Sequence, residues 1–176
     1  MRFRVLLAFV MIFLFTSCGQ ISNSSHTLSF SLASFTENYV DVSIHVDENS
    51  DEAYSLATTF TPPKGYHLYS KDIPLEGVKG LGRPTLLEFT GNDQIKILGK
   101  LTESVEAVKP DFEPRELLVY PSGTVTLSLP IELPHGIDWF DGTVKVTYMA
   151  CSATECKSPV MGKTISVRIP GTGTFK

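Results

Sequence analysis

Between Val125 and Leu133 the apolar side chains fall at every second position: Val125, Leu127, Leu129, Ile131 and Leu133, with Thr126, Ser128 and Glu132 among the residues between them. A period of two puts the apolar set on one face of an extended chain and the polar set on the other, the pattern of a half-buried antiparallel strand. Val144, Val146 and Tyr148 alternate with Lys145 and Thr147 in the same way. Shorter runs at 27–35, 39–46, 53–60, 66–70, 85–90, 94–98, 117–120 and 164–169 alternate or are rich in β-branched and aromatic residues. Turn-forming clusters at 47–51, 61–65, 77–84 and 91–93 separate many of them. With 13 Gly and 11 Pro, Pro110 and Pro114 among them, no helix beyond about two turns fits. About nine short strands with turn signals every eight to twelve residues or so predict an all-β fold, an immunoglobulin-like antiparallel β-sandwich. Hydrophobic residues at 42% are enough for one core, and a single domain over residues 27–170 is expected. Trp139–Gly142 reads as an aromatic turn that packs the end of the sandwich.

The first residues are of another kind. Met1-Arg2-Phe3-Arg4 is basic, and Val5 to Phe15 are eleven consecutive apolar residues. A membrane span needs about 20, so residues 1–17 read as a signal peptide. Leu14-Phe15-Thr16-Ser17-Cys18 resembles a bacterial lipobox, which makes the leader a lipoprotein type and Cys18 the lipidated first residue of the mature chain. Gly19 stands where an Asp would signal inner-membrane retention, so an outer-membrane anchor is slightly favoured. Residues 18–26 are Ser/Asn-rich and read as a flexible tether, and 171–176 as a frayed tail.

Net charge is −4, and removing Arg2 and Arg4 with the leader takes it to −6. No basic run marks a nucleic-acid partner. No nucleotide, hydrolase or zinc-protease fingerprint is present, so no cofactor is expected. His26, His45, His67 and His135 lack zinc-site spacing, so no metal set is expected from them. His67 reads either as structural or as a contributor near the cysteines.

Export to an oxidising compartment leaves two cysteines besides Cys18, and an even pair there reads as a disulfide. Cys151-Ser152-Ala153-Thr154-Glu155-Cys156 lies between two strand patterns, and a four-residue hairpin-like connection sets the cysteines opposite each other. The loop so closed is short. The chain-entropy account gives roughly 2 kcal/mol for six residues against about 4.7 for a hundred, so stabilisation is a weak reason for the bond. A short hairpin-tip disulfide is accessible and suits thiol–disulfide exchange. Two alternatives remain: a binding lipoprotein whose disulfide merely rigidifies a loop, and a Cu(I) site of Met149, Cys151, Cys156 and Met161. Lys157 favours a Cys156 thiolate and Glu155 opposes it. Cys156 is the preferred exchanging sulfur because it opens the less regular 157–159 segment.

Val146-Thr147-Tyr148-Met149-Ala150-Cys151, then Cys156-Lys157-Ser158-Pro159 and a final strand, resembles the N-terminal periplasmic domain of the thiol:disulfide interchange protein DsbD family. Gly65-Tyr66-His67-Leu68-Tyr69-Ser70 is similar to that family's aromatic segment, and Gly82-Arg83-Pro84-Thr85 to its Gly-x-Pro-Thr turn. Asp111-Phe112, followed by Leu118-Val119-Tyr120, resembles its central part. The resemblance spans about residues 50 to 170, with a Cys-x4-Cys pair one residue shorter than in the best-known members. It implies an electron relay that uses Cys151 and Cys156, with Phe112 as an aromatic cap and Tyr66, Tyr69 and Glu155 as modulators. It also implies thioredoxin-like or membrane-linked donors and periplasmic thiol acceptors. No thioredoxin-like or membrane domain lies within these residues, so the donor is expected to be a separate protein, and the chain one component of an oxidoreductase system.

The lipobox-like stretch makes a direct prediction. Cys18→Ser moves the protein from the membrane fraction to the soluble fraction on cell fractionation, and continued membrane retention places the anchor elsewhere.

Overall fold

A computed structural model describes residues 28–49, 53–90 and 94–175. The leader, Cys18 and the tether lie outside the described residues. The strands are β1 (Leu28–Glu37), β2 (Val40–Asn49), β3 (Ala53–Thr61), β4 (His67–Leu68), β5 (Leu86–Thr90), β6 (Lys96–Ile97), β7 (Thr102–Glu103), β8 (Val125–Glu132), β9 (Trp139–Tyr148), β10 (Ala150–Cys151) and β11 (Val160–Pro170). One sheet runs β1-β2-β3-β8-β6, with β7 also on β8. A second runs β11-β9-β5, and β10 pairs β4 as a small third. Every pairing among these strands is antiparallel, so the fold is an immunoglobulin-like β-sandwich.

The alternation explains the layers. Val40, Val42, Ile44 and Val46 of β2 and Val125, Leu127, Leu129 and Ile131 of β8 are buried. They meet Val144, Val146 and Tyr148 of β9 and Val167 and Ile169 of β11 in one core. Phe60 and Tyr148 close it edge to face at 5.5 Å. Burial raises the Tyr148 hydroxyl well above the usual tyrosine range, and it donates a hydrogen bond to the Glu37 carbonyl at 3.1 Å. A smaller apolar cluster of Tyr69, Ile73, Leu117, Val119 and Cys151 sits beside this core.

Three local expectations give way. Residues 117–120 form no strand. Bracketed by Pro114 and Pro121, they make only single bridges from Val119 to Tyr69 and Val108, while the Tyr120 amide donates to Leu68 O and the Ser70 amide to Leu118 O, both at 2.9 Å. Trp139–Gly142 is no turn but the start of β9. A β-carbon at Gly142 would lie 2.7 Å from Phe89 and 3.0 Å from Ile169, so glycine here serves close packing. Residues 47–49, expected in a polar turn, instead continue β2 to Asn49. The described part of the 171–176 tail makes local contacts. Thr172–Phe175 form a 3-10 turn, the Gly171 amide bonds Asp138 O at 2.9 Å, and Phe175 packs on Tyr54 at 5.1 Å. One aromatic at the end of a Gly/Thr-rich segment found an apolar partner that composition could not indicate.

Candidate active site

The second sheet hands the chain to the site. Near the end of β9, the Gly162 amide donates to Thr147 Oγ1 at 2.9 Å, which satisfies the irregular register where β11 begins. Beyond Met149 the chain changes partners, and β10 pairs β4 with Ala150 opposite Leu68 and Cys151 opposite His67. A hairpin follows. The Ser152 amide donates to Glu155 O at 2.8 Å and the Lys157 amide to Ala150 O at 2.9 Å. Ser152 Oγ accepts from the Thr154 and Glu155 amides at 3.3 and 3.2 Å. These bonds flank the cysteines without joining them, so Cys151 and Cys156 form the close, non-hydrogen-bonded kind of antiparallel pair. Their Cα atoms are 4.0 Å apart and their sulfurs are bonded.

The two sulfur-bearing residues are not equivalent. Cys151 is 2% exposed and belongs to the small apolar cluster, whereas Cys156 is exposed. Both line an open cavity of about 740 Å³, together with His67, Tyr69, Phe112 and Met149. Phe112 is 39% exposed and its ring centroid stands 5.9 Å from that of His67. Arg115 steadies the proline-bracketed loop that carries it, donating to Pro110 O at 2.6 Å. Another wall is the Gly80–Arg83 segment, in which Arg83 donates to the carbonyls of Glu76 and Gly80 at 2.9 and 3.1 Å. Gly82 has φ +70°, and a β-carbon there would come within 2.7 Å of Leu117, so the turn requires glycine. His67 meets Tyr69 edge to face at 5.3 Å. Its Nε2 is buried without a hydrogen-bond partner, and burial lowers its pKa. Burial raises the Tyr69 hydroxyl.

The outer flank of the hairpin is polar. Glu155 pairs with Lys157 at 2.7 Å and accepts a hydrogen bond from the Tyr66 hydroxyl. Lys157 holds the Glu155 carboxyl below its ordinary value, with Tyr66 adding to the effect, and Glu155 in turn raises Lys157. The opposed influences on Cys156 read from sequence are therefore tied into one pair. Lys157 also lies over the Tyr39 ring at 4.5 Å, and Asn38 Nδ2 donates to Ser158 O at 2.7 Å.

Tyr66 and Glu155 thus meet on one flank while Tyr69 and Phe112 line the cavity. Met149 is in the cavity wall, but Met161 is an exposed residue of β11. Sequence reasoning missed Asn38 and Tyr39. Their positive φ values, +48° and +66°, suit a tight hairpin turn between two alternating runs. That turn was readable; its contact with residues 157–158 was not.

Solved structures similar to this chain include two N-terminal domains. The N-terminal domain of DsbD from Neisseria meningitidis, in the reduced form, matches with a TM-score of 0.42 and 18% identity over 66% of this chain and 77% of its own. The N-terminal periplasmic domain of ScsB from Proteus mirabilis matches with a TM-score of 0.46 and 11% identity over 85% of this chain and 55% of its own. No family model and no curated protein matches the sequence.

A carboxyl with a lowered pKa stays ionised until pH falls through that lowered value, so the Tyr66–Glu155–Lys157 link is intact at neutral pH and lost only below the usual carboxylate range. Tyr66→Phe removes one hydrogen bond to the carboxylate and shifts the Glu155 midpoint upward in a carbon-detected NMR titration. An unmoved midpoint shows that the hydrogen bond is absent in solution.

Proposed function

We propose that this chain is a periplasmic thiol–disulfide interchange domain that relays electrons through the Cys151–Cys156 pair. The observation that carries this reading is the asymmetry of the bond: a buried Cys151 and an exposed Cys156 beside an open cavity, in a ring too short for stabilisation to explain it. A partner thiolate attacks Cys156 Sγ, the S–S electron pair passes to Cys151 Sγ, and a mixed disulfide forms. A second partner thiol then displaces Cys156, leaving the domain with two thiols and the partner with a disulfide. The reverse sequence delivers the same two electrons to an exported protein. Thioredoxin-like or membrane-linked proteins supply the electrons, and lipid at Cys18 tethers the domain to the membrane, with the outer membrane favoured. The similar solved domains are described as the N-terminal domain of DsbD and a periplasmic domain, in keeping with this compartment and chemistry.

Phe112 is the cap in this reading. Its half-exposed ring in a polar loop, lining the same cavity as both sulfurs, shields the bond until a partner displaces the loop. Sulfur–aromatic contact contributes about 0.3–1.5 kcal/mol to such a closed state.

Two experiments follow. Cys151→Ala leaves Cys156 unable to be resolved internally, so the exposed thiol accumulates mixed disulfides with exported or membrane-linked thiol proteins on non-reducing gels. Their absence under oxidising growth removes the relay. Phe112→Ala speeds reduction by dithiothreitol severalfold at a stability cost below about 1.5 kcal/mol. A larger loss of stability with an unchanged rate makes Phe112 a packing residue instead.

A further inference from the structure

His67, Cys151 and Cys156 occupy consecutive positions across adjacent antiparallel segments, because Cys151 pairs with His67 on one side and with Cys156 on the other. Directly opposed residues project to the same face, with β-carbons about 4.5–5.5 Å apart. All three line the same cavity. Within this row the imidazole is the member without a partner, since its Nε2 is buried and makes no hydrogen bond. Tyr69 and Phe112 flank the ring at 5.3 and 5.9 Å. An unpaired buried ring nitrogen is costly in a purely structural residue.

The need for a base arises at Cys151. Once Cys156 carries a mixed disulfide, the chain can close its own bond only if Cys151 Sγ attacks Cys156 Sγ. A buried thiol in apolar surroundings ionises reluctantly, and only the thiolate is nucleophilic. Released from its bond, the Cys151 side chain can turn about χ1 toward its other cross-strand neighbour.

Resting on the exchange reading above, we infer that His67 is the general base for Cys151: Nε2 takes the proton from Cys151 Sγ as that sulfur displaces the partner from Cys156. The Nδ1–H tautomer leaves the Nε2 lone pair available for this. The Cys151–Cys156 bond forms, the partner–Cys156 bond breaks, its electron pair leaves on the partner sulfur, and the imidazolium returns the proton to that thiolate through water. In the opposite direction the imidazolium protonates the departing Cys151 thiolate. The other titratable or charged groups lining the cavity are Tyr69, Arg83, Asp111 and Glu113. Tyr69 stays protonated because burial raises it, Arg83 is bonded to carbonyls, and Glu113 pairs with Arg115 at 3.6 Å.

The test separates the two sulfurs in time. Reduced protein is mixed with one equivalent of the aromatic disulfide dithiobis(nitrobenzoic acid), and coloured thiolate is followed by stopped flow. Attack by Cys156 releases the first half of the reagent, and closure by Cys151 releases the second. In the wild type the second phase slows as pH falls through the His67 titration, below the ordinary histidine range. His67→Phe keeps a ring of similar shape and slows only the second phase at neutral pH, by about 10²-fold, and its pH profile then follows thiol ionisation alone. His67→Gln, which can hydrogen-bond but cannot act as a base, gives the same result and answers the question if the Phe variant does not fold. A second phase of wild-type rate and pH profile in the folded variant overturns the inference, as does an equal slowing of both phases, which marks His67 as a packing residue. Both leave the exchange reading standing. A wild type that releases only the first half, or neither, overturns the exchange reading and this inference with it.

Discussion

The site depends on a change of strand partner. β9 is held in the second sheet by β5 on one side and β11 on the other, and its apolar residues Val144, Val146 and Tyr148 are buried in the core. Past Met149 the chain leaves that sheet and pairs with β4. The irregular start of β11, satisfied by Thr147 and Gly162, lets the returning chain follow. The Cys151–Cys156 hairpin therefore projects from the second sheet, and its cysteines line an open cavity. Two residues of pairing with β4 hold Cys151 in one geometry while Cys156 stays exposed.

The hydrogen-bond phase of the hairpin settles the rest of the sulfur geometry. Because bonds from Ser152 and Lys157 bracket the cysteines, the pair falls in the narrow register of the ladder, where Cα atoms approach most closely. A one-residue slip would send one cysteine to the opposite face. The same phase places His67 beside Cys151, so the buried sulfur has the imidazole as one neighbour and the exposed sulfur as the other. Burial acts on the two sulfurs differently: it covers Cys151 and leaves Cys156 exposed.

Charge has a subordinate part. Glu155, Lys157 and Tyr66 form one linked group on the hairpin's outer flank, at a surface where water screens each member. Their effect is mainly to orient the 155–158 segment, together with Asn38 and Tyr39 of the first hairpin. The cavity side is mostly aromatic and aliphatic, so the two faces of one short hairpin meet different environments.

Alternation from Val125 to Leu133 and from Val144 to Tyr148, with proline and glycine between short runs, determined the all-β sandwich, because a period of two buries one face only when the chain is extended. The Cys151–Cys156 spacing was enough to place a bond across a hairpin, and local composition marked Phe112 as an aromatic in a polar loop. Sequence did not determine which sulfur is buried, that the end of the chain packs through Phe175, or that residues 117–120 bridge without forming a strand. Nor did it bring Asn38 and Tyr39 to the hairpin, more than a hundred residues away in the chain. Local propensity acts over a few neighbouring residues, whereas these relations arise only when sheets stack and a strand changes partner. That change is decided by which apolar faces find cover, a property of the assembled core.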